Sequence, residues 1–160
     1  MTIRYAEPRD CQTIVDLIYE LAVYERLADK AMATAADIER DLFGANPVIR
    51  VLIAETDEPV GFALLFRSYS TFLERPGIYL EDLYVKEEYR GSGIGKALLT
   101  EIAKIAVAEN AGRLEWSVLD WNEPAIGFYK KLGAVMLDDW TTCRLEGASI
   151  HAVAGMRSSG

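Results

Sequence analysis

Residues 90 to 95 read Arg90-Gly91-Ser92-Gly93-Ile94-Gly95, with glycine at three alternate positions. The stretch before them ends Leu83-Tyr84-Val85 and reads as a strand. After them, Ile94, Leu98, Ile102 and Ile105 mark the buried stripe of a helix ending near Asn110-Ala111-Gly112. Glycines let a backbone approach an anion closely. The unpaired N–H groups at a helix start, with the positive end of the helix dipole, then form an anion site. Arg90 adds a charge at its rim, and a flexible strand-to-helix turn is the plain alternative. Spacing sorts the anions. A nucleotide P-loop has four residues between its glycines and then Lys-Ser/Thr. Here Gly91 and Gly95 bracket three residues, and Lys96 is followed by Ala97. The dinucleotide fingerprint sets its glycines first, third and sixth, whereas these fall first, third and fifth.

The rest of the chain predicts an intermixed order of elements. Thr2 to Ala6 reads as a strand. Pro8 opens a helix that carries Ile14, Leu17, Ile18, Leu21 and Ala22 to about Tyr24. Thr34 and Asp37 form a capping-box pair for a second helix that Gly44 ends. Val48–Glu55 and Val60–Arg67 predict a hairpin, Ser68–Gly77 a loop, and Ile78–Val85 a third strand of this region. Beyond the glycine helix come a strand over Arg113–Asp120 and a helix opened by Pro124 and stopped by Gly133. A last pair of strands is expected at Val135–Leu137 and Thr142–Glu146. The fold class is therefore α/β with a mixed, largely antiparallel sheet. One domain over 1–147 is expected, then a small polar tail over 148–160 whose end is disordered.

The 160 residues carry a formal net charge of -8. That argues against a nucleic-acid binder, which must neutralise phosphates with Lys and Arg, and it suits a cationic substrate. Cys11 and Cys143 lie far apart and His151 is the single histidine, so reduced thiols and no metal site are expected. No apolar run approaches a membrane span, and the expected location is cytoplasmic.

A second motif joins the glycines: Trp121-Asn122-Glu123-Pro124-Ala125-Ile126-Gly127-Phe128-Tyr129-Lys130-Lys131-Leu132-Gly133. Together the two resemble the GNAT superfamily of acyl-coenzyme A N-acetyltransferases, over nearly the whole chain. The resemblance implies a central sheet splayed at the cofactor site and flanked by about four helices. It also implies acetyl-coenzyme A as co-substrate, with the pyrophosphate on Arg90, Gly91, Ser92, Gly93, Ile94, Gly95 and Lys96. The pantetheine arm would lie on Leu83, Tyr84, Val85, Asn122 and Tyr129. Within the superfamily, Tyr79-Leu80-Glu81-Asp82-Leu83-Tyr84-Val85 and Glu20-Leu21-Ala22-Val23-Tyr24-Glu25 resemble the spermidine/spermine (diamine and thialysine) acetyltransferase group. That implies a homodimer and a small cationic amine at Tyr24, Glu25, Glu81 and Asp82. The chain departs from the group at Ser70-Thr71-Phe72, where the group carries Asp-Pro-Trp, and at Ala125, where serine is common.

Transfer to an amine requires loss of a proton from the ammonium and protonation of the leaving thiolate. Glu81 is the expected base, relayed by water, because an alkyl amine near 10.4 and a glutamate near 4.3 stand about 6 pH units apart. A surface charge on an alternating strand is the other reading of Glu81. Adjacent Glu81 and Asp82 fall on opposite faces of a regular strand, and a bulge would change that. Tyr129 is the expected acid, since thiol and phenol titrate near 8.5 and 10. It lies one helical turn after Ala125 and two after Asn122; a core aromatic beside Phe128 is the alternative. Transfer to a peptide amine, or acyl-coenzyme A binding without turnover, remain open.

Overall fold

The computed structural model describes residues 1–156. It divides into two compact units, Met1–Leu119 and a second from Asp120 onward.

The first unit holds a five-stranded sheet in chain order: β1 (Thr2–Tyr5), β2 (Arg50–Glu55), β3 (Pro59–Ser70), β4 (Arg75–Val85) and β5 (Leu114–Glu115). The first three pairings are antiparallel and the last is parallel, so the expected mixed sheet is present. Alternation along β2 and β3 divides the core between two faces. Val51, Ile53, Phe62 and Leu64 pack with Tyr84 against helix α1 (Cys11–Tyr24) and Ile38 of helix α2 (Ala35–Phe43). The intervening Leu52, Ala54, Ala63 and Leu65 are equally buried. They belong to the face that meets helix α3 (Ile94–Ala108), whose Ile94, Leu98, Leu99 and Ile102 are also buried.

Local chemistry sets the helix ends. Pro8 begins a short 3-10 turn before α1, and the Asp10 carboxylate accepts from the Glu7 N–H at 2.7 Å. Asp10 is itself held by Arg4, at 2.7 Å, which also reaches Glu55. For α2 the capping box forms as expected: the Asp37 N–H donates to Thr34 Oγ1 at 3.2 Å and the Thr34 N–H to Asp37 at 3.0 Å.

Three expectations are corrected. The loop over Ser68–Gly77 is mostly strand, because β3 and β4 stay paired to Ser70 and Arg75. Only a tight turn remains, in which buried Ser70 Oγ accepts from the Leu73 N–H at 3.2 Å. The strand over Arg113–Asp120 shortens to Leu114–Glu115, because β4 and β5 pair only at Ile78 and Tyr79 and then part. The last strand pair is absent among the described residues. Residues 134–147 find no ladder partner, and a strand without one leaves its backbone groups unbonded.

The second unit contains helix α4 (Glu123–Lys131) and helix α5 (Ala148–Ala154), the latter within the expected small polar tail. The expected disordered end falls on 157–160, outside the described residues. No helix among the described residues is long and apolar enough to cross a membrane.

Candidate active site

The glycine loop takes its shape from its glycines. Gly91 and Gly93 have φ of 76° and 87°, a region that side chains with a Cβ rarely enter. A Cβ at either would meet open space, so conformation and not crowding demands glycine there. Gly93 is the N-cap of α3 and supplies no side-chain oxygen, so no side chain caps the first N–H groups of the helix. That first turn carries no acidic residue and one exposed cation, Lys96. A cation is the wrong sign for a helix N-terminus by itself and the right sign for an anion bound there. Ser92 turns its hydroxyl back to the Tyr89 carbonyl, and buried Ile94 anchors the loop in the core.

Arg90 joins the loop to the sheet. Its Nε donates to the Val85 carbonyl at 2.9 Å. Its guanidinium lies over the Tyr24 ring at 4.6 Å and near the Tyr84 ring at 5.5 Å, favourable cation–π geometry. Tyr84 is buried and donates its hydroxyl to Glu20 at 3.1 Å. Burial, then this carboxylate, push the Tyr84 phenol above its usual range. The sequence reading missed Glu20. Its signal is the four-residue spacing to Tyr24, which puts both on one side of α1.

Among the described residues, β4 has no strand partner beyond Tyr79 on its β5 side. The Lys86 N–H donates to the Val60 carbonyl at 2.9 Å, toward β3. By alternation Tyr84 and Asp82 also bond toward β3, while Leu83 and Val85 direct their N–H and C=O groups to the open side. Arg90 occupies the Val85 carbonyl, leaving the two N–H groups and the Leu83 carbonyl facing the splay.

At the head of this open edge the ladder slips. Leu64 faces Asp82 and Leu65 faces Leu80, so Glu81 is an extra residue, a β-bulge. A regular strand would set Leu80 and Asp82 on one face. The bulge separates them: buried Leu80 stays on the α3 face, while Asp82 joins Tyr84 on the α1 face. Glu81 is left exposed and Asp82 half-buried. Glu25, just past the end of α1, completes a cluster of three carboxylates. Burial, then Glu81 and Glu25, push the Asp82 carboxyl up to about 7. Burial, then Glu81, raise that of Glu25. Among the residues named from sequence, the first unit thus gathers Tyr24, Tyr84, Val85 and Arg90 beside the loop, and Glu25, Glu81 and Asp82 at the bulge.

Asn122 and Tyr129 belong to the second unit. Asn122 is the N-cap of α4 and accepts from the Ala125 N–H at 3.4 Å. The sequence reading assigned Asn122 to the coenzyme arm and missed this capping role, although Asn followed by Pro two residues later is a helix-start signal. Tyr129 is 9% exposed, with its ring centroid 5.5 Å from that of Phe128. Gly133, with φ of 91°, closes the helix: the Ala134 N–H returns to the Tyr129 carbonyl at 3.1 Å and the Gly133 N–H to Lys130 at 3.0 Å. The altered stretch Ser70–Phe72 is the β3–β4 turn, with Phe72 94% exposed at its tip.

The model of the acetyltransferase (GNAT) family matches residues 9–134. The chain is 41% identical to a thialysine N-epsilon-acetyltransferase of Bos taurus, with 96% of each protein covered. It is 34% identical to an L-ornithine N5-acetyltransferase of Arabidopsis thaliana, covering 94% of this chain and 86% of that one. Among solved structures, an integron cassette protein from the mobile metagenome of V. cholerae superposes with a TM-score of 0.80 at 29% identity, covering 97% and 98% of the two chains.

Proposed function

The chain belongs to the GNAT acetyltransferase family, and from that premise we propose that it moves acetyl from acetyl-coenzyme A directly onto a primary amine of a small cationic substrate. It does so within one domain over residues 1–147, as a homodimer. The observation that carries the acceptor is the cluster of Glu25, Glu81 and Asp82. Like charges held together disfavour one another's ionisation, and a bound ammonium relieves that cost. The acetyltransferase names of the bovine and Arabidopsis relatives, on thialysine and ornithine, support the same class of amine.

The glycine loop fits a pyrophosphate. Its positive-φ glycines expose backbone N–H groups, α3 adds its dipole, and Arg90 and Lys96 add charge. The Leu83 and Val85 amides, with Asn122, bond the pantetheine arm. Laid along β4 from Val85 to Asp82, three residues at the usual strand rise, such an arm advances about 10 Å. Its reactive end then stands at the bulge. There exposed Glu81 acts as the base, taking the amine proton through water. Tyr129 donates a proton to the departing sulfur.

The test is release of free thiol from acetyl-coenzyme A with thialysine, L-ornithine, spermidine, putrescine, lysine and a basic peptide. Turnover is expected with the small amines and far less with the peptide. A preference for the peptide would move the acceptor to proteins. Coenzyme binding without transfer to any amine would remove the enzyme reading.

A further inference from the structure

Within the coenzyme half of that reaction, we infer that Glu20 is a positioning residue for acetyl-coenzyme A: through the Tyr84 hydroxyl it fixes the aromatic seat that holds Arg90 at the rim of the glycine loop. The inference rests on the coenzyme reading of the loop above and deepens it.

Three elements meet at this seat. Helix α1 supplies Glu20 and, one turn later, Tyr24; β4 supplies Tyr84; the glycine loop supplies Arg90. The Arg90 guanidinium lies 4.6 Å from the Tyr24 ring centroid and 5.5 Å from that of Tyr84, while its Nε donates to the Val85 carbonyl at 2.9 Å. The two rings are not equally fixed. Tyr24 is 38% exposed, whereas Tyr84 is 8% exposed and belongs to the core cluster with Leu17, Leu21, Phe62 and Leu64. Tyr84 is therefore the firm side of the seat.

Its hydroxyl explains Glu20. A phenylalanine would fill the same core position with no polar group to satisfy. A phenol there needs a partner, and the Tyr84 hydroxyl donates to the half-buried Glu20 carboxylate at 3.1 Å. Burial, then Glu20, hold the phenol in its protonated, donating form. Donation to a carboxylate also raises the electron density over the ring, which deepens its attraction for the guanidinium.

The consequence falls on the anion site. A free arginine side chain visits many rotamers, so its charge is spread over a wide arc. Arg90 is instead tethered at Nε and laid against ring faces, so the plane of its guanidinium is set before a ligand arrives. A fixed guanidinium plane suits a pyrophosphate, whose oxygens accept from in-plane N–H donors. Glu20 acts on that anion through Tyr84 and then Arg90.

The experiment is calorimetric affinity for acetyl-coenzyme A in the wild type, Glu20→Leu, Glu20→Gln, Tyr84→Phe and the double variant Glu20→Leu/Tyr84→Phe. Thiol release with thialysine is measured beside it, from acetyl-coenzyme A and from acetyl-pantetheine, which lacks the pyrophosphate. Glu20→Leu should weaken coenzyme affinity about tenfold, the scale of a hydrogen bond to a charged group. Glu20→Gln keeps an acceptor for the phenol and should recover most of that loss. Tyr84→Phe should weaken affinity to a similar degree, and the double variant no further than either single one, because both break one contact. In Glu20→Leu, kcat at saturating acetyl-coenzyme A and kcat/KM with acetyl-pantetheine should stay within twofold of wild type. Tyr84→Phe, which keeps the buried ring, decides the question if Glu20→Leu does not fold. Coenzyme affinity within twofold of wild type in Tyr84→Phe overturns the inference. So do losses that multiply in the double variant, and a loss with acetyl-pantetheine as large as that with acetyl-coenzyme A. A wild type that binds no acetyl-coenzyme A overturns the coenzyme reading, and this inference with it. One that binds it but acetylates no amine overturns the acceptor reading alone, and the affinities still decide the role of Glu20.

Discussion

The two ends of the open edge of β4 offer a ligand different groups. At the Val85 end, the glycine loop offers mostly backbone: positive φ at Gly91 and Gly93, an α3 start with no side-chain cap, and strand amides facing the splay. At the Asp82 end the groups on offer are side chains, three carboxylates that crowd one another. The first end is suited to a ligand that all members of a coenzyme-using family share. The second can change its acceptor by exchanging a few side chains. Coenzyme affinity should therefore reside in the loop and acceptor chemistry at the bulge, with little crossover.

Variants can break that division. The largest effect is expected from Gly93→Val. A β-branched residue at φ of 87° is strained whatever space surrounds it, so the loop must change shape. The KM for acetyl-coenzyme A should rise by roughly 200-fold, by the loss of several backbone donors at about 1 kcal/mol each. Steady-state kinetics at saturating amine measures it, and an unchanged KM would detach the loop from the coenzyme. Next comes Tyr129→Phe, which keeps the buried ring and removes the hydroxyl proposed as the acid. Its kcat should fall about 100-fold while coenzyme affinity by calorimetry holds. An unchanged kcat makes Tyr129 a core aromatic.

The smallest effect is on stability. The folded pKa of Asp82 is raised, so its protonated form is favoured by folding. Its contribution is full below the unfolded pKa near 3.8 and is lost as pH rises through about 7. At pH 8 the ionised group therefore destabilises the fold. Asp82→Asn should raise the Tm there by a few degrees, corresponding to about 1–2 kcal/mol, and should give no gain near pH 4. A thermal melt at the two pH values checks the sign.

The same contrast explains what the sequence disclosed. The glycine loop was legible because alternating glycines before a helical stripe encode backbone geometry directly. So was the α2 capping box, since Thr34 and Asp37 bond within one turn. The bulge was foreseen only as a way to redirect neighbouring acids. Its place depends on the register of β3 against β4, which no local pattern states. The meeting of Glu25 with Glu81 and Asp82 joins a helix end to a strand more than fifty residues later, so charge at the site was readable and its coupling was not. The final strands were misread for a similar reason. Val135, Leu137 and Leu145 have the composition of strand residues, but they are exposed and 134–147 has no ladder. Composition supplies β-propensity, and a strand also needs a partner.

The division between loop and bulge meets its most direct test in the acetyl-coenzyme A dissociation constant of the double variant Glu81→Gln/Asp82→Asn, measured by calorimetry beside its rate of thiol release. We predict a dissociation constant within about twofold of wild type, under 0.6 kcal/mol, with transfer to small amines abolished. A coenzyme affinity that falls in step with the rate would contradict the account.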